Sequence, residues 1–144
     1  MTVQAQTLLA FDFGLRRIGV AVGNTQLRQA QPLRTLAVDG DAAFAAIAAL
    51  IGEWQPNALV VGVPFHPDGA AHENTERALR FARRLRGRTG LPVHEVDERY
   101  TTTAARESGA VDLDAASAAL ILQQHFDQLC VLVVPKVQVA ATDA

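Results

Sequence analysis

Cysteine is nearly absent from this chain of 144 residues, where Cys130 stands alone. An intrachain disulfide is excluded, and so is a zinc site built on several thiolates. Lysine is nearly absent too: Lys136 is the only one among 13 basic residues. There is no basic excess, since the formal net charge is −2, so whole-molecule charge gives no case for a nucleic-acid partner. Long apolar runs are missing as well. The first, Leu8–Phe11, is broken by Asp12, and none approaches the roughly 20 apolar residues of a membrane span. Met1–Thr7 is short and polar and lacks the basic start of a signal peptide. No membrane partner and a cytoplasmic location are therefore expected.

What is present is an ordinary globular composition, 49% hydrophobic and 19% charged, of a length that suits one domain. Residues 1–7 read as a polar tail, 8–128 as the domain and 129–144 as a C-terminal tail. In that last tail, Val131–Val134 is apolar enough for an edge strand or a dimer contact, with a disordered end the equal alternative. The basic residues are unevenly spread. Arg77, Arg80, Arg83, Arg84, Arg86 and Arg88 crowd one stretch.

Hydrophobic patterning gives the elements. Leu8–Phe11 and Leu59–Val63 are continuous apolar runs, the mark of strands buried on both faces. Ile18–Val22 follows the first run closely enough for a hairpin. Leu33–Val38, after Pro32, suggests a third strand, and Leu91–Val96 a fifth. Ala42–Trp54, behind the capping candidates Asp39 and Asp41, predicts a helix ended by Pro56. Glu73–Arg88 predicts another, with Ala78, Phe81, Ala82 and Leu85 on one face and Arg77, Arg80, Arg84 and Arg88 beside them. A short helix near Thr101–Thr103 and a last one from about Asp114 complete the order β-β-β-α-β-α-β-α-α. The expectation is an α/β domain with a mixed sheet of about five strands flanked by helices.

Three acidic positions fall at element ends, where functional residues of α/β folds gather. Asp12 closes the first buried strand, Asp97 and Glu98 follow the fifth, and Asp114 opens the last helix. Each has a plain structural alternative. Asp12 precedes a turn, Asp97 and Glu98 could pair with Arg99, and Asp114 suits an N-cap. If the strands are neighbours, however, the carboxylates converge. Two like charges about 4 Å apart repel by roughly 4 kcal/mol at an effective dielectric near 20, so such a cluster calls for a proton or a divalent cation. Oxygen ligands with open positions suit Mg²⁺ or Mn²⁺, and two such ions can cut a phosphodiester.

The segments LLAFDFGLRRIGVAVG, ALVVGVP with Asp68-Gly69, FARRL, VDERYTT and DAASAALIL together resemble the YqgF (RuvX) family over about Leu8–Gln128. Its members are described as nucleases for the precursor of 16S ribosomal RNA or as Holliday junction resolvase-like proteins. The resemblance implies an RNase H-like fold and metal-dependent hydrolysis of phosphodiesters without a covalent enzyme intermediate. It implies Asp12, Glu98 and Asp114 as catalytic, metal-holding residues, with Glu98 preferred to Asp97. Arg16, Arg17 and Arg99 lie close enough in sequence to contact phosphate oxygens. Structured RNA is the favoured partner, branched DNA the alternative, and a homodimer would favour the latter. One departure is visible: Glu107–Leu113, before Asp114, is short and has no basic residue, whereas relatives usually carry a longer basic segment there. A non-catalytic nucleic-acid-binding module therefore stays open. An actin-like ATP-dependent kinase is disfavoured, because that class closes two domains over its nucleotide and this length supplies one.

Overall fold

The computed structural model describes residues 5–14, 16–37, 40–64, 70, 73–97 and 114–128. The described chain runs β1 (Thr7–Phe13), β2 (Arg17–Asn24), β3 (Gln29–Ala37), α1 (Gly40–Trp54), β4 (Ala58–Val63), α2 (Glu73–Thr89) and β5 (Val93–Asp97). A further helix, α3, covers 114–128. The helix expected near Thr101–Thr103, the loop with Pro67, Asp68 and Gly69, the link Glu107–Leu113 and the tail 129–144 lie outside the described residues.

One sheet is formed in the order β3-β2-β1-β4-β5. The β1-β2-β3 meander is antiparallel, whereas β1/β4 and β4/β5 are parallel. The two continuous apolar runs are its centre. Leu8, Leu9, Ala10 and Phe11 of β1 are buried, as is every residue of β4, because helices cover both faces. On one face α1 and α2 enclose Leu9, Phe11, Val20, Ile47, Leu59, Val61, Phe81 and Leu85. On the other, α3 covers Leu8, Ala10, Ala21, Val60 and Val96 with Ala118, Ile121, Leu122 and Phe126.

The strands exceed the lengths their apolar runs suggest. Thr7, expected in the polar tail, already belongs to β1. β3 starts at Gln29, ahead of Pro32, and not after it. An edge strand tolerates proline because one side of its ladder is unpaired. The register passes from Val20↔Arg34 to Ala21↔Pro32, so Leu33 is bulged out at that point. The two helices on the first face match expectation closely. α1 ends where Gln55 turns to positive φ and donates its backbone N–H to Ile51 O at 2.7 Å, and α2 ends at Gly90, whose N–H bonds Arg86 O at 3.0 Å.

Candidate active site

Strand direction decides what meets at the active end. β1, β4 and β5 are parallel, so Asp12 and Asp97 both emerge at their C-terminal ends. Side-chain alternation then separates them. Asp12 shares the face of Leu8 and Ala10, under α3, whereas Asp97 shares the face of Val93 and of Glu95, whose carboxylate pairs with Arg86 of α2 at 3.1 Å. Asp97 contributes its backbone to the α3 side: its carbonyl accepts a hydrogen bond from Gln124 Nε2 at 2.9 Å.

Asp12 stands between two glycines. Its register partners are Gly19 on β2 and Gly62 on β4, so neither flanking strand puts a side chain beside the carboxylate. Gly19 does more. A Cβ there would lie 1.8 Å from Asp114 O, 2.2 Å from Asp114 C and 2.9 Å from Ala115 N. The first turn of α3 therefore rests directly on the β2 backbone, and only glycine permits that approach. The same face of β2 continues with Ala21 and Gly23, against which Leu122 and Phe126 pack. Small residues at every second position thus bring the backbone of Asp114 down onto Gly19, the register partner of Asp12.

Asp114 is partly exposed and is joined by Arg17, whose Nε lies 3.1 Å from Oδ2. Arg17 is thus a candidate phosphate contact that also answers the Asp114 charge. Arg16 is exposed in the same hairpin. Glu98 and Arg99 lie outside the described residues. Among the described residues no three His, Cys, Asp or Glu side chains group to hold a metal ion. The packing role of Gly19 is not among the features that hydrophobic patterning singles out. Its signal was the alternation Gly19-x-Ala21-x-Gly23 within an otherwise apolar strand.

A three-stranded antiparallel meander joined to two parallel strands, with helices on both faces, is the RNase H-like fold. Thermus thermophilus RuvC, solved in complex with a Holliday junction substrate, superposes with a TM-score of 0.58 at 16% identity, over 83% of this chain and 93% of that one. The fowlpox virus resolvase superposes with a TM-score of 0.52 at 9% identity, over 85% and 98%. At such identities the likeness is one of fold. The sequence goes further: the RuvX family model, described as Holliday junction resolvase, matches residues 6–128, and the chain belongs to that family of nucleases. A relative in Albidiferax ferrireducens is 67% identical over 119 residues, 83% of this chain and 76% of its own. One in Polaromonas is 60% identical over 129 residues, 90% of this chain and 94% of its own. Both carry the provisional name pre-16S rRNA nuclease.

Proposed function

We propose that this chain hydrolyses phosphodiester bonds in structured RNA in the cytoplasm, trimming the 5′ end of the small-subunit ribosomal RNA precursor. The observation that carries the reading is the seating of Asp114 on Gly19, across the ladder from Asp12. That packing sets the start of α3, with Asp114, over the ladder position of Asp12, and two acids sharing one site would favour a bound cation. Oxygen donors without thiolate or imidazole suit Mg²⁺ or Mn²⁺.

Asp12, Glu98 and Asp114 are the residues that would hold two such ions. The resemblance prefers Glu98 to Asp97, and Asp97 belongs to the α2 face, opposite that of Asp12. When bound, the ions supply activation of the attacking water and stabilisation of the leaving oxygen. The protein's own part is positioning. The Gly19 contact sets the height of Asp114, Gln124 ties α3 to the end of β5, and Arg17 holds the Asp114 carboxylate. Arg16, Arg17 and Arg99 present guanidinium groups to the phosphates on either side of the scissile bond.

The RNA assignment draws on the names of the relatives, and the family description supplies branched DNA as its competitor. A cleavage panel separates them: ribosomal RNA precursor, unstructured RNA and a four-way DNA junction, each with Mn²⁺ or Mg²⁺. Preferential cutting of the precursor is expected. Preferential cutting of the junction, by a homodimer carrying two sites, would replace RNA processing with DNA resolution. Tight binding of all three without cutting would reduce the chain to a binding module.

A further inference from the structure

The face of the sheet opposite Asp12 carries a second feature at the same end. Phe13, one residue beyond Asp12, turns to the α1/α2 side and stacks on Phe81 with ring centroids 4.7 Å apart and planes at 29°. Phe44 of α1 approaches the same Phe81 ring at 5.9 Å. Between α1 and α2 these rings line a cleft of about 180 Å³, edged by Arg77, Arg80 and Arg84 of α2. Phe81 is buried, whereas Phe13 and Phe44 are half-buried, and the Arg88 guanidinium lies over the Phe44 ring, 4.2 Å from its centroid. Arg77 is occupied by Glu73 at 2.9 Å. Arg80 and Arg84 are exposed and have no ion-pair partner among the described residues.

Resting on the nuclease reading above, we propose that this cleft receives one unpaired nucleobase of the substrate strand, with Arg80 and Arg84 on the adjoining phosphates. An aromatic floor beside uncompensated guanidinium groups matches the two halves of a nucleotide, a flat π-surface and an anion. The size fits one ring system, since sites enclosing drug-sized ligands run to roughly 300–1,000 Å³. A base inside a duplex has both faces covered by its neighbours, so the occupant must be unpaired. The location supports the same conclusion. α1 and α2 both begin at the end of the sheet where Asp12 emerges, so a strand passing the carboxylates and crossing the β1–β2 turn at Arg16 reaches the cleft directly. The site therefore selects a single-stranded segment beside the cleavage position, which a fully paired substrate does not offer.

The test uses the full chain in EDTA with a short single-stranded RNA carrying 2-aminopurine, and the same RNA in a duplex. Stacking should quench the fluorescence of the single strand only. Phe44→Leu, which keeps an apolar side chain but removes the ring, should abolish the quench and weaken single-strand binding about tenfold. Phe44→Tyr should restore both. Arg80→Ala with Arg84→Ala, two changes on an exposed helix face, should reduce the slope of log K against log salt by about 1.4, at roughly 0.7 per phosphate contact. Wild-type protein that binds and cuts RNA while Phe44→Leu quenches equally, or while the double-arginine variant keeps the full slope, would overturn the cleft and leave the nuclease standing. Wild-type protein that neither binds nor cuts would overturn both.

Discussion

Gly19→Ala inserts one methyl group between β2 and the start of α3. The new carbon would stand 1.8 Å from the carbonyl oxygen of Asp114, where an unstrained contact needs about 3.5 Å. The helix must retreat by more than an ångström, because the obstructing atoms are all backbone. Overpacking of this kind costs about 1–3 kcal/mol, and each kcal/mol lowers Tm by roughly 3 °C or more in a domain of this size. The same retreat carries Asp114 away from Asp12, and a misplacement of about 1 Å near a reacting centre costs on the order of 10²-fold in rate. The assay pairs a thermal melt by circular dichroism with Mn²⁺-dependent cleavage well below Tm. Gly23→Ala is the control. Its Cβ meets Gln29 O at 2.5 Å and Phe126 at 3.0 Å, at the far end of β2, so it should depress the melt yet spare the rate. A Gly19→Ala protein that melts and cuts like wild type would refute the packing argument.

Phe81 joins Phe11, Phe13 and Phe44 in one aromatic cluster, so Phe81→Ala should cost about 3–5 kcal/mol, read as a lower urea midpoint; a loss below about 1 kcal/mol would contradict the core assignment. His125 of α3 is buried and stacks on His94 of β5 at 5.0 Å, with the Arg86–Glu95 pair nearby. Burial first, and the charge of His94 second, lower its pKa from 6.5. The unfolded chain therefore binds this proton before the folded one does, so stability is complete above about pH 6.5 and declines as pH falls toward the lowered folded value. Tm should drop on acidification more steeply in wild type than in His125→Gln, and parallel profiles would contradict the assignment. Arg17→Ala breaks an exposed pair with Asp114 and should change stability by less than about 1 kcal/mol, while lowering the salt slope of RNA binding by about 0.7 for single strands.

Much of this architecture was readable because burial on two faces leaves an unmistakable pattern. The apolar runs at Leu8–Phe11 and Leu59–Val63 could only be central strands, and the spacing of Ala78, Phe81, Ala82 and Leu85 fixed which face of α2 meets the sheet. Edges were harder. β3 is mostly exposed, so its first three residues carry no hydrophobic signal, and Pro32 resembled a boundary although an edge strand accommodates it. The acids were identifiable by position, but the seating of α3 on β2 was not, because it depends on a contact between Gly19 and Asp114, 95 residues apart. Asp97 illustrates a finer limit. The motif shows two adjacent acids, and only the register of β5 on β4, with Val93 and Val96 on opposite faces, assigns Asp97 to the α2 side. Phe13, Phe44 and Phe81 lie in three separate elements, β1, α1 and α2, so no local pattern marked them as a cluster.

The most direct test of the account measures Mn²⁺-dependent cleavage of the ribosomal RNA precursor by wild type, Asp12→Asn and Asp114→Asn, with folding checked by circular dichroism and Mn²⁺ binding by calorimetry. Both variants should remain folded, bind Mn²⁺ more weakly and lose cleavage by at least 10²-fold. Retention of wild-type cutting by either folded variant would contradict the claim that Asp12 and Asp114 form the catalytic pair.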